Sequence, residues 1–459
     1  MRPWILLFSM VSACSRPEPQ PDYAPAGLVP GTPNILIVTL DTTRADHLGC
    51  YGYFRDTSPN LDRLAEESVL FERCIVPMAT TLPTHTSLFT GTHPHEHGVL
   101  ANLKRTTIYE RDASLVSLAE YLSEIGYTTG AFVSAFPLRR KAGLATGFSV
   151  YSDVGKELRR ASDTVSSAKT WLKEQADSPF FLWVHLFDPH GPFEPLPPFD
   201  EQFQDSDELQ AWMTERELES EGGRLRGKPV YTVASINGYD GEIAFMDQQL
   251  GVLFQDLRTS GLWDDLVMVV MGDHGEGLNQ HGLPGHGRVF DEQLHAPLLL
   301  RAPGLAPGRF EDPVSGVDVL PTLMHLLQLP DPETLLSQGS GINRFAGSQG
   351  PGSEWILSQS SPRQLAGGDI EYGLTGRRWK YLRGSDGSER LYDLGEDPHE
   401  LVDAAPEQPE VLARLRELTN AKIAAQIQRK GGTQREATLT ELEGLQGLGY
   451  GGGDEDESQ

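Results

Sequence analysis

Short apolar runs alternate with stretches of helical periodicity along most of the chain. Strand-length apolar runs stand at 34–40, 69–76, 128–134, 180–187, 266–271 and 297–301. Helical patterns stand at 58–67, from 84 to at least 88, and at 114–125, 161–175, 238–260 and 317–327. Alternation of this kind favours an α/β fold in which a largely parallel sheet is covered by helices on both faces.

The pattern changes in the last third of the chain. A Gly- and Ser-rich stretch at about 331–365 marks a boundary, and short runs at 372–374, 379–382 and 390–393 predict antiparallel strands. An amphipathic helix is predicted at 407–429, and the acidic, Gly-rich end at 431–459 is typical of disorder. We therefore predict a catalytic domain at 34–350, a small C-terminal subdomain at 351–430 and a tail at 431–459.

The first residues have the character of a targeting signal. Arg2 precedes an apolar run at 4–11 that is too short to span a bilayer, and Val11-Ser12-Ala13-Cys14 follows it. That ending resembles a bacterial lipobox, which predicts a signal peptide at 1–13, a lipidated Cys14 and a Pro-rich tether at 14–33. The protein is then an exported, membrane-anchored lipoprotein of the periplasm, outer membrane or cell surface. An ordinary secretory signal with a chance cysteine is the alternative.

The charge of the chain limits the partners that it can have. A formal net charge of −27 argues against nucleic acid as a partner. An anionic substrate would need a locally positive pocket on this acidic surface. Cys50 and Cys74 remain after Cys14; a disulfide between them is one reading, and free thiols beside strands are favoured.

Reactive side chains follow several of the predicted strands directly. In an open α/β sheet the catalytic groups gather beyond the carboxyl ends of the strands, so groups that follow different strands meet at one rim. The hydroxyl, carboxylate and imidazole groups in such positions are those of Asp41, Thr81, Asp188, His190, Asp273 and His274. Together they predict an active site at this rim.

Asp41, Asp273 and His274 offer two carboxylates and an imidazole, a donor set that suits one divalent cation. Without a metal, Asp41 would cap a turn, and Asp273 with His274 would belong to a Gly-rich loop. A cation here would neutralise the anionic oxygens of an ester. Thr81 would be a further ligand of this cation, which would lower the pKa of the Thr81 hydroxyl. Ca²⁺, Mn²⁺ and Zn²⁺ all remain open.

The segment 81–91, TLPTHTSLFTG, closely resembles the active-site signature of the sulfatase family. Further blocks of that family are resembled by 37–52, 272–276, 281–287, 379–381 and 391–394. The resemblance implies the alkaline-phosphatase superfamily fold, with a large mixed, mostly parallel sheet between helices and a small C-terminal α+β subdomain. It also implies hydrolysis of sulfate or phosphate esters.

The chain departs from the sulfatase pattern in ways that bear on its chemistry. Most sulfatases have Cys or Ser where Thr81 stands and convert it to formylglycine, which threonine cannot become. Thr42 replaces the second of two paired aspartates, His85 replaces the arginine that supports formylglycine, and a lysine and a histidine of the next segment have no counterpart. What remains is similar to the lipoteichoic acid synthase branch, in which threonine is the nucleophile and manganese the metal.

Several histidines are candidates for handling the leaving group or the anion. His190 resembles the family's histidine in a Pro-flanked turn, and His286 falls where the family has Lys or His facing the ester oxygen. His85 either contacts the anion beside Thr81 or satisfies a backbone carbonyl. His281 is a weaker candidate, and the run of His93, His95 and His97 is interpreted as structural rather than as a metal site.

We therefore predict a metal-dependent hydrolase of anionic sulfate or phosphate esters, with Thr81 as nucleophile and His190 or His286 as proton donor. Phosphate mono- or diesters are favoured because water can cleave a phosphothreonine at phosphorus. A formylglycine hemiacetal instead eliminates sulfate, which a threonine sulfate cannot do. The alternatives are sulfuric ester hydrolysis without formylglycine, transfer of an envelope phospho-headgroup to an alcohol, and a non-catalytic anion- or glycan-binding lipoprotein.

Overall fold

The structure is a computed structural model, and it describes most of the chain after residue 31. The described residues are 32–103, 107–110, 112, 114–154, 159–175, 179–218, 224–225, 228–329, 333–336, 338, 341, 343, 354–362, 369–428 and 433–436. The predicted signal peptide, Cys14 and nearly all of the tether and tail lie outside these residues. Among the described helices, none is long and apolar enough to cross a membrane.

Strands and helices alternate through the first three quarters of the described chain. The strands are β1 (Asn34–Leu40), β2 (Val69–Phe71), β3 (Cys74–Ile75), β4 (Thr107–Glu110), β5 (Thr128–Phe132), β6 (Val150–Ser152), β7 (Phe180–Leu186), β8 (Arg224–Leu225), β9 (Lys228–Pro229), β10 (Leu266–Gly272), β11 (His295–Ala296), β12 (Leu298–Arg301), β13 (Gly308–Phe310), β14 (Val314–Ser315), β15 (Ile356–Gln359), β16 (Tyr372–Thr375), β17 (Trp379–Arg383), β18 (Glu389–Asp393) and β19 (Thr433–Glu436). The helices are α1 (Pro59–Glu66), α2 (Thr81–Thr90), α3 (Pro94–His97), α4 (Leu118–Glu124), α5 (Ala161–Leu172), α6 (Asp207–Glu215), α7 (Val233–Thr259), α8 (Asp291–Leu294), α9 (Val319–Leu327), α10 (Glu333–Leu336) and α11 (Pro409–Ile427).

An eight-stranded sheet, in the order β13-β2-β12-β10-β1-β7-β5-β6, forms the centre of the molecule. The strands from β10 to β6 run parallel, whereas β12 runs antiparallel to both of its neighbours. A parallel sheet needs cover on both faces, so its strands are apolar throughout rather than alternating. The prediction of a mixed, mostly parallel sheet between helices is confirmed.

The central strand β1 contributes to two hydrophobic cores, one on each face of the sheet. Ile35 and Ile37 join the core that includes Leu82 of α2. Leu36 and Val38 join the opposite core, which includes Leu250 of α7. Since successive side chains of a strand point to opposite faces, the continuous apolar run of β1 is what allows both cores to form.

Several predicted elements differ from those observed. The helix predicted from 84 begins at Thr81, and the helix predicted at 238–260 begins at Val233. The run 69–76 is not one strand, because the chain changes partners at its middle: the Glu72 N–H donates to Phe310 O, and the Val314 N–H donates to Arg73 O. β2 therefore belongs to the large sheet and β3 to a three-stranded sheet with β11 and β14. The helix predicted at 114–125 is shorter, since α4 begins at Leu118.

The C-terminal subdomain is a four-stranded antiparallel sheet in the order β15-β16-β17-β18, packed against α11. Sequence analysis predicted its last three strands and missed β15, which lies at the edge of the Gly- and Ser-rich stretch. β19 pairs with β4, so four residues of the segment predicted as a disordered tail form a strand. The polar, Pro-rich segment 191–230, for which sequence analysis predicted no helix or strand, contains α6 and the β8–β9 pair.

Candidate active site

Three parallel strands in the middle of the sheet end side by side. Leu40 at the end of β1 is in register with Gly272 of β10 and with Leu186 of β7. The Asp41 N–H donates to Leu186 O (2.9 Å) and the Asp273 N–H donates to Leu40 O (3.1 Å). The two aspartates predicted from the strand ends therefore meet at the rim of the sheet.

Each of these carboxylates has one oxygen held by the protein and one without a partner. Asp41 Oδ2 lies 3.2 Å from His185 Nε2. Asp273 Oδ1 accepts from the backbone N–H groups of Thr42 (3.1 Å) and His274 (2.7 Å). Asp41 Oδ1 and Asp273 Oδ2 are buried, and neither has a hydrogen-bond partner among the described residues.

His274 repeats this arrangement with its ring nitrogens. Its Nδ1 lies 2.9 Å from Gly275 O, and because a carbonyl can only accept, Nδ1 carries the proton. The lone pair therefore falls on Nε2, which is buried and likewise lacks a partner among the described residues. Buried polar groups are nearly always paired, so three such orphans in one place suggest a missing ligand.

Those orphaned atoms belong to one potential metal site. Ligand atoms of Asp41, Asp273 and His274 lie within 4.8 Å of one another. A second described group, formed by His85, His185 and Asp273, meets the same distance limit. The ring nitrogens of its two histidines are already hydrogen-bonded within the protein, so the first group is the one that fits a cation.

Burial controls the electrostatics of this region. Burial raises the pKa of Asp41 to about 7, while burial and then the charge of Asp41 raise the pKa of Asp273 well above its usual range. Burial also lowers the pKa of His274 and of His185 to about 4. The imidazoles are thus neutral at pH 7 and do not stabilise the ionised form of either carboxylate, whereas a divalent cation would.

Thr81 is the first residue of α2 and its side chain is buried. His85, one turn further along the helix, connects it to the aspartates: its Nδ1 lies 2.7 Å from Thr81 O and 3.8 Å from Asp273 Oδ2. The N-terminus of a helix directs backbone N–H groups towards an anion. The predicted nucleophile therefore lies at the start of a helix, and its backbone is linked to Asp273 through His85.

Both ring nitrogens of His85 are engaged by the protein. Nδ1 donates to Thr81 O, so Nε2 accepts from the Thr39 hydroxyl (2.9 Å), whose oxygen accepts from Trp183 Nε1–H (2.9 Å). Burial lowers the pKa of His85 to about 3, so the ring is neutral. Of the two roles predicted for His85, these contacts match the backbone-satisfying one and not a contact with the anion.

His286 lies beside His274, and His190 lies beside His286. The His286 ring is 4.4 Å from that of His274 and 5.5 Å from that of His190. His190 stacks on Phe187 and its Nδ1 donates to Gly191 O (2.8 Å), while His286 Nδ1 lies 3.2 Å from Glu276 Oε2. The structure thus brings both predicted proton donors to one side of the aspartates.

The remaining histidines singled out by the sequence are engaged elsewhere. His281 lies between Glu292 Oε1 (3.2 Å) and Glu400 O (3.0 Å). His95 Nε2 contacts the Tyr372 hydroxyl and His97 Nε2 contacts Ser87 Oγ. These contacts agree with the structural interpretation.

Asp188 also has a structural contact, although it follows a strand end as predicted. Its two carboxylate oxygens accept from the N–H of Ala161, the first residue of α5, at 3.2 and 3.0 Å. A carboxylate at the start of a helix satisfies an otherwise unpaired backbone donor and interacts favourably with the helix dipole. Asp188 therefore caps α5 rather than joining the three orphaned atoms.

His185 is the residue of this region that sequence analysis missed. It is the sixth residue of β7, fully buried, and contacts Asp41. The available signal was a histidine inside an otherwise apolar strand, one residue before the strand ends. A polar side chain at that position must find a buried partner.

Comparisons with known proteins show what this chain is similar to over most of its length. The sequence model of the family described as Sulfatase matches residues 33–329. The chain is 24% identical over 410 residues to an ulvan-active sulfatase of Formosa agariphila, covering 81% of this chain and 76% of that protein. It is 22% identical over 443 residues to an arylsulfatase of Clostridium perfringens, covering 81% and 89%.

Solved structures share the fold. The putative sulfatase yidJ from Bacteroides fragilis superposes with a TM-score of 0.73 at 19% identity, covering 88% of this chain and 98% of that one. The phosphonate monoester hydrolase of Agrobacterium radiobacter superposes with a TM-score of 0.68 at 22% identity, covering 86% and 96%.

Proposed function

Because this chain belongs to the sulfatase family of ester hydrolases, we propose that it cleaves anionic esters by attack of Thr81 beside a divalent cation. Asp41, Asp273 and His274 would hold the ion. The observation that carries this proposal is the convergence of three buried, unpaired ligand atoms, Asp41 Oδ1, Asp273 Oδ2 and His274 Nε2. When bound, the cation would neutralise the ester's anionic oxygens and lower the pKa of the threonine hydroxyl.

The donor set is compatible with each of the three candidate cations. Two carboxylates with one imidazole nitrogen suit Mn²⁺ or Zn²⁺, and Ca²⁺ remains a candidate because carboxylates dominate the set. Thr42 follows Asp41 where many sulfatases have a second aspartate, so the first strand end supplies one carboxylate ligand rather than two. The Thr42 N–H instead holds Asp273 Oδ1.

Thr81 supplies the nucleophile in this proposal. Its hydroxyl oxygen forms a bond to phosphorus while the bond from phosphorus to the leaving oxygen breaks. His190 or His286 takes the proton that the Thr81 hydroxyl loses and gives it to that oxygen. Water then attacks phosphorus, and one of its protons returns to the Thr81 oxygen as the phosphate product is released. The positions of the two rings support this role, because the His286 ring lies 4.4 Å from that of His274 and the His190 ring lies 5.5 Å from that of His286.

Phosphate and phosphonate esters are the favoured substrates on chemical grounds. A phosphothreonine is cleaved by water at phosphorus, whereas a threonine sulfate has no route equivalent to the elimination open to formylglycine. Sulfate esters are the alternative, and they are suggested by the names of the relatives, which include an ulvan-active sulfatase and an arylsulfatase.

The test is turnover of matched p-nitrophenyl phosphate, phosphodiester, phosphonate and sulfate esters by the purified protein, each with Ca²⁺, Mn²⁺ or Zn²⁺. We expect phosphoester turnover, and we expect Thr81→Ala to lower kcat by at least about 10³-fold because it removes the nucleophile. Thr86→Ala is the matched control, since Thr86 lies on the same helix and its hydroxyl donates to Leu82 O (2.8 Å). That variant should keep kcat near the wild-type value.

Three results would contradict the proposal in different ways. Turnover of the sulfate ester above that of every phosphoester would show that the threonine supports sulfuric ester hydrolysis. Metal binding without turnover of any ester would favour the anion-binding alternative. Full activity of Thr81→Ala would exclude Thr81 as nucleophile, whichever ester is cleaved.

A further inference from the structure

His185 connects the metal-binding rim to the interior of the sheet. It stands in β7 between Asp41 and Ser134 and is fully buried. The Ser134 backbone N–H points at His185 Nδ1 (3.4 Å), and the Ser134 hydroxyl donates to His185 O (2.8 Å). On the other side of the ring, Nε2 lies 3.2 Å from Asp41 Oδ2.

These contacts fix which nitrogen of His185 carries the proton. Two N–H groups cannot face each other, so the N–H of Ser134 requires a lone pair on Nδ1. The proton of the neutral ring is then on Nε2, where the carboxylate of Asp41 accepts it. His185 is thus a hydrogen-bond donor to Asp41 in its resting arrangement.

We propose that His185 is a positioning residue for the metal site: its Nε2–H holds Asp41 Oδ2 and so directs Asp41 Oδ1 towards the cation. This inference rests on the metal site proposed above. Asp41 would thus be held by a hydrogen bond from a side chain, whereas backbone groups hold the other two ligands. Asp273 Oδ1 is held by two backbone N–H groups, and His274 Nδ1 is held by the carbonyl of Gly275.

A direct metal–nitrogen bond from His185 is the competing arrangement. A separation of 3.2 Å between Nε2 and Asp41 Oδ2 also suits two neighbouring ligands of one ion, since metal–ligand bonds of about 2.1 Å at right angles place their donors about 3 Å apart. However, ligation through Nε2 would move the proton to Nδ1, where it would face the N–H of Ser134. The hydrogen-bonded arrangement avoids that conflict.

Because the group that holds Asp41 is the side chain of His185, substitution of His185 tests the proposal. In His185→Gln, the amide nitrogen reaches the position of Nε2 and can still donate to Asp41. In His185→Asn, the shorter amide covers the position of Nδ1 and does not reach Asp41. The two variants differ by one methylene, and only the Gln variant places its amide donor at Asp41.

The experiment is Mn²⁺ titration of the metal-free, full-length protein followed by electron paramagnetic resonance. We expect His185→Asn to bind Mn²⁺ about 10–100-fold more weakly than wild type, and His185→Gln to keep the wild-type affinity. Equal affinity of wild type and a folded His185→Asn would overturn the inference. So would a Gln variant as weak as the Asn variant, because the donor would then not be what matters.

Nitrogen couplings to bound Mn²⁺ in the wild-type protein give a readout that does not depend on how well a variant folds. One coupled ring nitrogen, from His274, is expected. Two coupled ring nitrogens would make His185 a ligand and overturn its positioning role. Failure of wild type to bind Mn²⁺, Zn²⁺ or Ca²⁺ would instead reject the proposed metal site, and the role of His185 would be rejected with it.

Discussion

Three buried residues at the carboxyl ends of β1 and β10 share one pattern of hydrogen bonding. Asp41, Asp273 and His274 each have one atom held and one atom left unpaired. An unpaired buried polar atom costs about 1–3 kcal/mol, so three of them together are retained at the expense of stability. Such a cost is typical of a binding site.

At this scale the sequence predicted residues whose role is local and missed those whose role depends on neighbours. Asp41, Asp273 and His274 could be predicted because each follows a recognisable strand and lies in a recognisable motif. His185 could not, because its partners Asp41 and Ser134 are brought to it only by the pairing of β7 with β1 and β5. Thr39 could not be predicted either, because its position inside an apolar run is typical of any strand residue.

Thr39 supports a residue-scale prediction about stability. Its hydroxyl accepts from Trp183 Nε1–H and donates to His85 Nε2. Thr39→Val keeps the shape of the side chain but leaves both partners unpaired in a buried site, so the free energy of unfolding should fall by about 1–3 kcal/mol per orphaned group. Urea unfolding followed by fluorescence measures the change.

Thr39→Ser is the control for this substitution. It keeps the hydroxyl and loses only a methyl group, which costs about 0.8 kcal/mol for the apolar surface alone. If Thr39→Val proves as stable as Thr39→Ser, the contacts from Trp183 and to His85 contribute nothing to the folded state.

Helices and strands whose limits are set by local chemistry are the ones that the sequence predicts well. β1 was predicted with its observed limits, since its apolar run ends at Asp41. The direction of β12 could not be predicted, because an apolar run of four residues is the same in a parallel and in an antiparallel pair. The split between β2 and β3 depends on partners that lie more than 200 residues away in the chain.

The start of α4 gives an element-scale prediction. Ser117 Oγ accepts from the Glu120 N–H (3.3 Å), and Glu120 Oε2 accepts from the Ser117 N–H (2.9 Å), which together form a capping box. This pair explains why the helix begins at Leu118 and not at the predicted 114. Ser117→Ala should lower the free energy of unfolding by about 0.5–2 kcal/mol, measured by urea unfolding.

Ser114→Ala provides the comparison. Ser114 is exposed, lies before the helix and donates only to Asp112. A surface substitution of this kind should change stability by less than about 0.5 kcal/mol. Equal effects of the two substitutions would mean that the capping box does not define the helix start.

The contact between the large sheet domain and the C-terminal subdomain is built from buried charges. Lys380 of β17 is fully buried, and its Nζ lies 2.6 Å from both Asp291 Oδ1 and Glu400 Oε1. Asp291 also pairs with Arg73. Arg288 and Glu371 form a further buried pair across the same contact, two residues beyond His286.

Asp291 leads to a prediction about pH. Burial alone would raise its pKa, but the charges of Arg73 and Lys380 outweigh burial and hold the pKa well below its usual range. A lowered pKa in the folded state gives stability that is present above the unfolded value of about 3.8 and is lost as the pH falls below it. Asp291→Asn should therefore cost about 3–5 kcal/mol at pH 7, and progressively less below about pH 5.

Urea unfolding of wild type and Asp291→Asn between pH 7 and about pH 2 tests this expectation, because the contribution of Asp291 is lost below the unfolded pKa. The control is Glu311→Gln, since Glu311 and its partner Arg377 are both exposed and such pairs contribute about 0–1 kcal/mol. A difference between wild type and Asp291→Asn that stays constant down to about pH 2 would show that the charge of Asp291 is not what stabilises the contact.

At the scale of the molecule, the fold class and the C-terminal subdomain were predictable because strand and helix periods are local features of the sequence. The charged contact between the two parts was not. Lys380 and Asp291 are each an ordinary charged residue in the sequence, and their pairing depends on how α8 meets β17 across 89 residues.

The position of β1 in the sheet determines when this strand can be paired on both sides during synthesis. The strand made first lies in the middle, between β7 and β10, and the Thr42 N–H bonds to Asp273 231 residues later in the chain. During synthesis β1 must therefore wait, unpaired on one edge, until β10 has emerged, and contacts so distant along the chain form slowly. The pairing of β1 with β10 and the proposed set of metal-binding side chains are completed by the same late step, so a chain cut short before β10 has neither.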